Sequence, residues 1–387
     1  MSFLRRVSTF RLVAICSAAV ALPAGGVALG QAVAGGGPVP PARPLAVAVR
    51  DALAAPAVPG ISGRISFTNR LVDLSGVEGA TPLLTGASGR VWAAPQRRLR
   101  LELQSDRGDV LLVSDGRTVT LYDGSARTAY RGRLPAERER RHPAGRGVPS
   151  LATVRQGIAR FERHATVSGP RPGSLAGEPA YTVRISPRPQ AGLLGAVELG
   201  WDAVRGVPLR LAVYARGDSR PVLELQAADV SFGPFPSSVF SFTPPPGTRV
   251  VNMATREPAG PARSGSRRRP SDLAAVRRGL PFTLSAPARL DGLPLTGAHR
   301  LSRDAALLVY GDDLGGLAVV EKRAASSRAR GAGGGELRLR GVGVGDTSGQ
   351  AVVTPLGTLV RFSRGGVEYT VVGLVRQAVA LAAARAL

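Results

Sequence analysis

The sequence has few of the residues that most often carry covalent, redox or metal chemistry. Cys16 is the only cysteine in 387 residues, and it lies in an apolar segment near the start, so the rest of the chain has neither a disulfide framework nor a thiol nucleophile. The three histidines, His142, His164 and His299, are isolated, which argues against a zinc site. We see no convergent acid–base pair. We therefore expect no enzyme, no metal and no cofactor.

Aromatic residues are also scarce, at 5% of the chain, whereas hydrophobic residues make up 44%. Hydrophobic cores must therefore consist mainly of Leu, Val and Ala. The chain is long enough for two domains, each with a core of its own.

Lysine is almost absent, since Lys322 is the only one, and the net charge of +24 comes from arginine. One interpretation is an anionic partner, such as nucleic acid or an acidic lipid surface. The other is a GC-rich genome that encodes basic surface residues as arginine. The arginines are spread along the whole chain rather than gathered in one segment, which favours the second interpretation. We expect no nucleic-acid partner.

Residues 1–34 have the features of a secretory signal. Three arginines come first, and an apolar run from Leu12 to Leu22 follows, with small-residue cleavage sites at Ala28-Leu29-Gly30 or Ala32-Val33-Ala34. The alternative is an uncleaved membrane anchor through residues 12–34, although Pro23 and several glycines interrupt that stretch. Either way, we expect an extracytoplasmic protein of the periplasm or cell envelope.

The pattern between Arg98 and Arg131 is typical of an antiparallel meander. From Arg98 to Gln104 leucines alternate with polar residues, which predicts a strand with one dry face and one wet face. From Leu111 to Arg131, Asp115-Gly116 and Asp123-Gly124 each fit a tight turn in which glycine adopts a positive φ. The sequence therefore predicts three short strands joined by two hairpin turns.

Two helices are predicted beside these strands. The first spans Leu45 to Ala55, and the second begins after Pro149-Ser150 and runs to Ala165. Their apolar stripes, which we expect to lie against a sheet or over a groove, consist of Leu45, Val49 and Leu53 in the first helix and Leu151, Val154, Ile158, Phe161 and Ala165 in the second.

Composition divides the chain after the strands that continue to about residue 251. Residues 252–270 are rich in Pro, Gly, Ser and Arg, as in a linker. Residues 271–387 then contain a short helix, at least five strand candidates and a closing helix from Leu374 to Leu387. The sequence predicts one domain over residues 45–251 and a second, smaller one over residues 271–387.

Three motifs in the first domain resemble the LolA-like lipoprotein carrier family. The first consists of Pro95, Arg98, Arg100 and Glu102, followed by Ser114-Asp115-Gly116 and Tyr122-Asp123; the family usually has Trp and Pro where this chain has Thr120 and Gly124. The second is Gly206-Val207-Pro208-Leu209-Arg210. The third is the run from Phe240 to Gly247, FSFTPPPG.

The second domain resembles the small C-terminal domain of the RseB (MucB)-like envelope-stress regulators. The shared residues are Val309-Tyr310-Gly311 and Phe362, followed by Gly366, Tyr369, Gly373 and a closing helix. Where the family usually has Trp in the penultimate strand, this chain has Phe362. A carrier-like domain followed by a small α+β domain is the domain order of that family.

The resemblance implies a mainly β protein with an α+β part. Its first domain would be a curved antiparallel half-barrel covered by helices, and its second a small C-terminal α+β domain. In the carrier family the half-barrel holds acyl chains, and the candidate lipid-binding residues here are Ile65, Phe67, Trp92, Leu99, Leu101, Val119, Leu121, Val183, Leu211 and Val213. Leu45, Val49, Leu53, Leu151, Val154, Ile158 and Phe161 would form the lid helices. The alternative is that these side chains pack as a solid core.

Two functions follow from the resemblance. In the first, a regulator senses a lipid or mislocalised lipoprotein at the membrane surface, and its second domain contacts the extracytoplasmic segment of an anti-sigma factor. In the second, a dedicated carrier of lipid or lipoprotein acyl chains has no signalling role.

Overall fold

The computed structural model describes residues 37–71, 86–105, 108–134, 149–188, 192–253, 273–311, 314–324 and 340–387. The expected signal or anchor and most of the expected linker lie outside these residues. None of the described helices has the length and apolarity needed to cross a membrane.

The described residues form two β-sheets and four α-helices. The helices are α1 (Leu45–Ala54), α2 (Leu151–Phe161), α3 (Leu273–Arg278) and α4 (Gln377–Arg385). Strands of the first sheet are β1 (Ile61–Asn69), β2 (Ala87–Ala94), β3 (Arg98–Ser105), β4 (Gly108–Asp115), β5 (Thr118–Asp123), β6 (Thr128–Arg133), β7 (Ala165–Val167), β8 (Arg171–Leu175), β9 (Glu178–Pro187), β10 (Leu194–Asp202), β11 (Pro208–Ala215), β12 (Pro221–Ala227), β13 (Ser231–Phe232) and β14 (Arg249–Met253). Strands of the second sheet are β15 (Arg289–Leu290), β16 (Leu293–Ser302), β17 (Ala305–Tyr310), β18 (Leu317–Arg323), β19 (Arg340–Val344), β20 (Thr347–Thr354), β21 (Gly357–Arg364) and β22 (Val367–Gly373).

The first sheet is a curved half-barrel in which neighbouring strands are antiparallel, except that β14 pairs in parallel with β6. Its strand order is β14-β6-β5-β4-β3-β2-β1-β12-β11-β10-β9-β7, with β13 paired to β1 and β8 paired to β9. The predicted meander is confirmed as β3 to β6. Strand β1 pairs with β12, so the ends of this part of the chain meet in the middle of the sheet.

Only one of the two meander turns has the predicted geometry. Gly116 has a φ of +94° between β4 and β5, as a tight turn requires. Gly124 does not have a positive φ; instead, Arg127 adopts a φ of +43° at the end of a longer turn. The carboxylate of Asp123 accepts hydrogen bonds from the Ser125 hydroxyl (2.6 Å) and the Ala126 N–H (3.0 Å). This side-chain capping stabilises a longer loop than the sequence pattern predicted.

Several element boundaries differ from the prediction. Helix α2 ends at Phe161, and Ala165 belongs to strand β7 rather than to the apolar stripe of the helix. Asn252 and Met253, which we assigned to the linker, are the last residues of β14. The stretch from Pro221 to Phe232 forms two strands, because the backbone between β12 and β13 bulges where the Asp229 carbonyl passes close to Gly63.

The second sheet has the order β15-β16-β17-β18-β22-β21-β20-β19. One face packs against α3, α4 and the segment between α3 and β15, and Leu308, Val319, Val360 and Val371 are fully buried there. This α+β unit has a hydrophobic cluster of its own, all of whose members lie between Leu273 and Leu387.

Candidate functional site

The two faces of the first sheet differ in chemistry. The helix-side face, defined here as the face that carries Val183, is aliphatic along most strands, because its side chains occupy alternate positions in register. One cross-strand row on it consists of Ala87, Phe67, Leu225, Leu211, Leu199 and Val183. The outer face, on the other side of the sheet, carries most of the Arg, Glu, Ser and Thr residues of the same strands.

Nine of the ten predicted lipid-binding residues lie on the helix-side face. Strand register places Ile65, Phe67, Leu99, Leu101, Val119, Leu121, Val183, Leu211 and Val213 there. The tenth, Trp92, lies on the outer face, where it pairs with Ser62 and Arg100. Its assignment to the apolar face was wrong because the local run Val91-Trp92-Ala93-Ala94 has no polar alternation from which the inward positions could be recognised.

Most of the nine residues are not sealed from solvent. Ile65 (7% exposed), Phe67 (8%) and Val183 (0%) are buried, whereas Leu99, Leu101, Val119, Leu121, Leu211 and Val213 are partly exposed. One cluster joins buried Ile65 and Leu103 to four of the partly exposed residues, Leu99, Leu101, Val119 and Leu121. Five partly exposed aliphatic side chains on β2, β3 and β5 form what we call the open strip; its members are Val91, Leu99, Leu101, Val119 and Leu121, and buried Leu112 and Ser114 of β4 lie between those of β3 and β5.

The two predicted lid helices cover a different part of the same face. Val49 of α1 and Val154 of α2 are buried against Tyr181, Val183 and Trp201 of β9 and β10. Leu45, Leu53 and Ile158 pack around this contact. Of the described residues, those that cluster with the open strip come only from strands. Among the described helices, α1 and α2 therefore cover one end of the helix-side face, and neither packs against its β1–β5 end.

Two of the predicted lid residues are not in this contact. Leu151 is partly exposed, and Phe161 is 47% exposed at the last position of α2. Phe161 follows Val154 by seven residues, so it lies on nearly the same side of the helix as Val154. It is the last residue of α2, so the helix does not carry the apolar stripe further.

The chain before α1 is attached to the sheet beside the helices. The Tyr181 hydroxyl donates a hydrogen bond of 2.6 Å to the Pro41 carbonyl, and the Tyr181 ring lies 5.9 Å from Trp201. Burial raises the pKa of Tyr181, so this phenol remains a donor at neutral pH. The Nε1 of Trp201 is buried without a hydrogen-bond partner among the described residues.

The outer face around Trp92 contains a polar pocket of about 380 Å³. Ser62, Gly63, Arg64, Arg90, Trp92, Asp229 and Ser231 line it. Asp229 pairs with the Arg64 guanidinium and accepts a hydrogen bond from the Arg64 N–H, which lowers the pKa of its carboxyl. The Arg90 guanidinium lies 5.9 Å from the centre of the Trp92 ring. This pocket is separated from the open strip by the thickness of the sheet.

The outer face of β3 to β5 is covered by the segment that follows β13. Phe240, in a short 3-10 helix from Ser237 to Phe240, is 2% exposed, and Arg98 lies over its ring at 5.4 Å. Phe242 contacts Tyr122 with ring centres 5.4 Å apart. Two contacts, Arg98 with Phe240 and Tyr122 with Phe242, thus join residues of the first and third resembling motifs on the outer face, and no sequence pattern indicated that they touch.

Comparisons with known proteins give fold similarity at low identity. No family model and no curated protein matches the chain. A Pseudomonas aeruginosa MucA/MucB complex structure is 17% identical, with a TM-score of 0.38, covering 88% of this chain and 94% of that one. A structure of MucB in complex with MucA(peri) is 15% identical, with a TM-score of 0.36, covering 84% and 91%. A putative outer membrane lipoprotein-sorting protein domain from Vibrio parahaemolyticus is 10% identical, with a TM-score of 0.18, covering 49% and 92%.

The matched structures belong to the same two groups that the sequence motifs resemble, so the comparison confirms that similarity. Identities of 10–17% and TM-scores of 0.18–0.38 are too low to carry an argument about function. The function must be argued from the geometry of the helix-side face itself.

Proposed function

We propose that the protein binds acyl chains of a lipid or lipoprotein on the helix-side face of its first sheet. The observation that carries the proposal is the open strip: five partly exposed aliphatic side chains on β2, β3 and β5, which belong to the same cluster as buried Ile65, Leu103 and Leu112 and are not packed against α1 or α2. Apolar surface that remains accessible to solvent is where ligands and partners commonly bind, so a partly exposed aliphatic strip supports this proposal.

The energetics of acyl binding suit such a surface. Each methylene removed from water contributes roughly 0.8 kcal/mol, so about a dozen buried methylenes outweigh the cost of immobilising one chain. The strip offers no charged group for chemistry on the bound chain, because its members are aliphatic. We therefore propose a binding protein and not an enzyme.

Uptake of a fluorescent fatty acid tests the proposal in solution. Purified protein titrated with the probe should show saturable binding that unlabelled fatty acid displaces. As a control, Trp92→Phe alters only the outer face and should bind like the wild type. Absence of saturable uptake by protein freed of endogenous lipid would exclude the proposal.

The proposed place of action is the cell envelope. It rests on the expected signal in residues 1–34, whose apolar run follows three arginines. Intact-mass measurement of the protein recovered from the envelope distinguishes a cleaved signal from a retained anchor. A chain that begins near residue 31 or 35 indicates cleavage, and a full-length chain in the membrane fraction indicates anchoring at the membrane surface.

A second candidate role, regulation through a protein partner, is favoured by the second sheet. The face of that sheet turned away from α3 and α4 carries an aliphatic row across five strands, which we call the outer row: Val309, Ala318, Val372, Leu359 and Val352. Val372 is 39% exposed, and the other four are partly exposed. Such a row fits an amphipathic peptide segment.

We propose that the outer row contacts the extracytoplasmic segment of an anti-sigma factor, the partner that the sequence resemblance implies. Calorimetry of the full chain with such a segment tests this, and Val372→Glu should abolish the heat of binding without affecting fatty-acid uptake. Equal heats for wild type and Val372→Glu would leave a carrier without a signalling role as the better account.

A further inference from the structure

The second sheet has a buried carboxyl group that the proposed function does not use. Glu321, on β18, is 0% exposed and points into the hydrophobic cluster beneath α3 and α4. In register it lies beside Ala306 on β17 and Tyr369 on β22. Leu308, Val319 and Val371 occupy the next inward positions of these strands. An ionised carboxylate in such surroundings is strongly disfavoured.

Within the described part of the chain, one of the two carboxyl oxygens of Glu321 has a hydrogen-bond partner and the other has none. Oε2 accepts a hydrogen bond of 3.0 Å from the Ser285 N–H, whereas Oε1 has no partner among the described residues. The hydroxyl of Tyr310, also on this face and 0% exposed, likewise has none there. One backbone N–H is too little to stabilise a buried negative charge, and burial raises the pKa of Glu321 to about 7.

Among the residues that the structure describes, no ionised group compensates for this carboxyl. The groups that face it are the Ser285 N–H from the covering segment, Tyr310 from β17 and Tyr369 from β22. Burial, with the nearby carboxyl, raises the pKa of both tyrosines, so they are neutral over the physiological range. Of the described cations, Arg277 on α3 acts on Tyr310, and Arg364 on β21 acts on Tyr369.

The single hydrogen bond of Glu321 lies at a structural junction. Ser285 belongs to residues 280–288, which cross the buried face between α3 and β15 and contribute Leu280, Phe282, Leu284 and Ala286 to the cluster. The Ser285 hydroxyl donates to the backbone oxygen of Leu387, just beyond α4, at 3.1 Å. The carboxyl, the covering segment and the end of the closing helix are thus connected through one residue.

We propose that Glu321 is a proton-operated latch on the cover of the second sheet. With the proton bound, the neutral carboxyl stays buried and residues 280–288 and 377–387 remain packed over it. Loss of the proton places an uncompensated charge in the cluster. Opening of the cover lets water hydrate the carboxylate, which lowers the free energy of the ionised form. The proton released goes to solvent, so opening is favoured by rising pH. This inference does not depend on the proposed lipid binding.

Hydrogen exchange of the full chain, read by mass spectrometry at pH values from 5 to 8.5 and corrected for intrinsic rates, tests the latch. In the wild type, protection of residues 280–288 and 377–387 should fall by roughly tenfold per pH unit between pH 5 and pH 7 and then level off. Glu321→Gln, which is neutral at every pH, should remove that dependence. Glu368→Gln, on the adjacent strand but ion-paired with Arg361 on the opposite face, should retain it.

A second measurement needs no variant and covers the case in which Glu321→Gln fails to fold. Carbon-13 NMR of glutamate carboxyls in the wild type should show one that titrates near pH 7, well above the others. A Glu321 resonance that titrates near 4.5 overturns the proposal, as does protection of the two segments that is independent of pH in the wild type.

Discussion

At the scale of single residues, charged groups on the outer face of β9 to β12 form a buried network. Glu198 is 4% exposed and accepts hydrogen bonds from Arg210 (2.6 Å), Arg184 (3.1 Å) and the Tyr214 hydroxyl (2.7 Å). Arg210 also pairs with Glu224 at 2.7 Å. The two carboxylates balance the two guanidiniums, so the network is compensated as a whole and every member depends on the others.

Removal of Arg210 should therefore be costly. Arg210→Ala leaves Glu198 and Glu224 partly or fully buried with one cation fewer, and we expect a loss of about 3–5 kcal/mol in the free energy of unfolding. Arg64→Ala breaks the exposed pair with Asp229 and should cost less than about 1 kcal/mol. Urea denaturation followed by circular dichroism measures both. Similar small losses in the two variants would mean that the network contributes little.

The buried carboxyl of Glu321 should also make the free energy of unfolding depend on pH, in addition to its expected effect on hydrogen exchange. Its pKa is about 7 in the folded state against 4.5 in the unfolded state, so the folded state binds more protons between these values. The contribution of Glu321 to the free energy of unfolding of the second unit should then be greatest below about pH 4.5 and should fall as pH rises toward 7. The full shift corresponds to about 3 kcal/mol.

Denaturation of wild type and Glu321→Gln across that pH range checks the sign. The difference in unfolding free energy between the two should change steadily from pH 5 to pH 7 and be constant above it, with the variant gaining relative stability at high pH. A difference that does not vary with pH would place the folded-state pKa of Glu321 near its ordinary value.

At the scale of secondary structure elements, the helix-side face makes opposite predictions for its two ends. Leu101→Glu and Leu121→Glu introduce a carboxylate into the partly exposed strip, where it can reach water. The fold should survive while fatty-acid uptake falls at least tenfold. Val183→Glu, at a fully buried position under α1 and α2, should unfold the unit, because a buried unpaired carboxylate costs several kcal/mol.

Thermal melts and uptake assays on the three variants distinguish a strip that is a binding surface from a strip that is packed core. If Leu101→Glu and Leu121→Glu unfold as readily as Val183→Glu, the β1–β5 end is packed core and not a binding surface.

The two meander turns provide a smaller test. Gly116 has a φ of +94°, and a Cβ there would lie 2.3 Å from the Gln96 carbonyl, so Gly116→Ala should lower stability by more than about 1 kcal/mol. Gly124 has neither constraint, since its added Cβ would first meet the Asp109 carbonyl at 3.4 Å. Gly124→Ala should change the melting temperature little, and a large drop would contradict the turn geometry described above.

Local pattern was sufficient to predict the meander and the starts of α1 and α2, since alternation and end signals act within a few residues. The Ser150 side chain, for example, accepts a hydrogen bond from Thr153 N–H at the start of α2. Pattern failed where pairing decides the structure. Strand β14 exists because it pairs with distant β6, and β16 contains Pro294, Gly297 and His299, which hide its alternation. The apolar positions of the candidate site could be predicted because side chains alternate between the two faces along a strand. Their exposure could not, because it depends on which elements pack over them.

At the scale of the whole molecule, the two sheets are connected but have separate hydrophobic clusters. The Leu193 N–H donates to the Leu374 carbonyl at 2.6 Å, and Gly192 lies against the carbonyls of Leu314 and Leu374. We propose that residues 45–253 and 271–387 are nonetheless separate domains joined by a linker at 254–270. Residues 271–387 expressed alone should then give a cooperative melt. A fragment that does not fold would show that the contact at Leu193 is required.

If the protein is a regulator, lipid and partner must affect each other equally. If bound lipid changes the affinity for the partner by some factor, the bound partner must change the affinity for lipid by the same factor. Calorimetry of the full chain with an anti-sigma extracytoplasmic segment, in the presence and absence of bound fatty acid, measures both factors. Equal partner affinity in the two states excludes lipid sensing through that partner and favours simple carriage.

Native mass spectrometry of the purified protein, before and after organic extraction, tests the central claim most directly. The account predicts a mass before extraction that exceeds the chain mass by that of an acyl lipid, its loss on extraction, and its return when fatty acid is added back. Leu101→Glu should carry less of it than the wild type while remaining folded. A single unliganded mass in every state, with no uptake of added fatty acid, would contradict the claim that the open strip binds acyl chains.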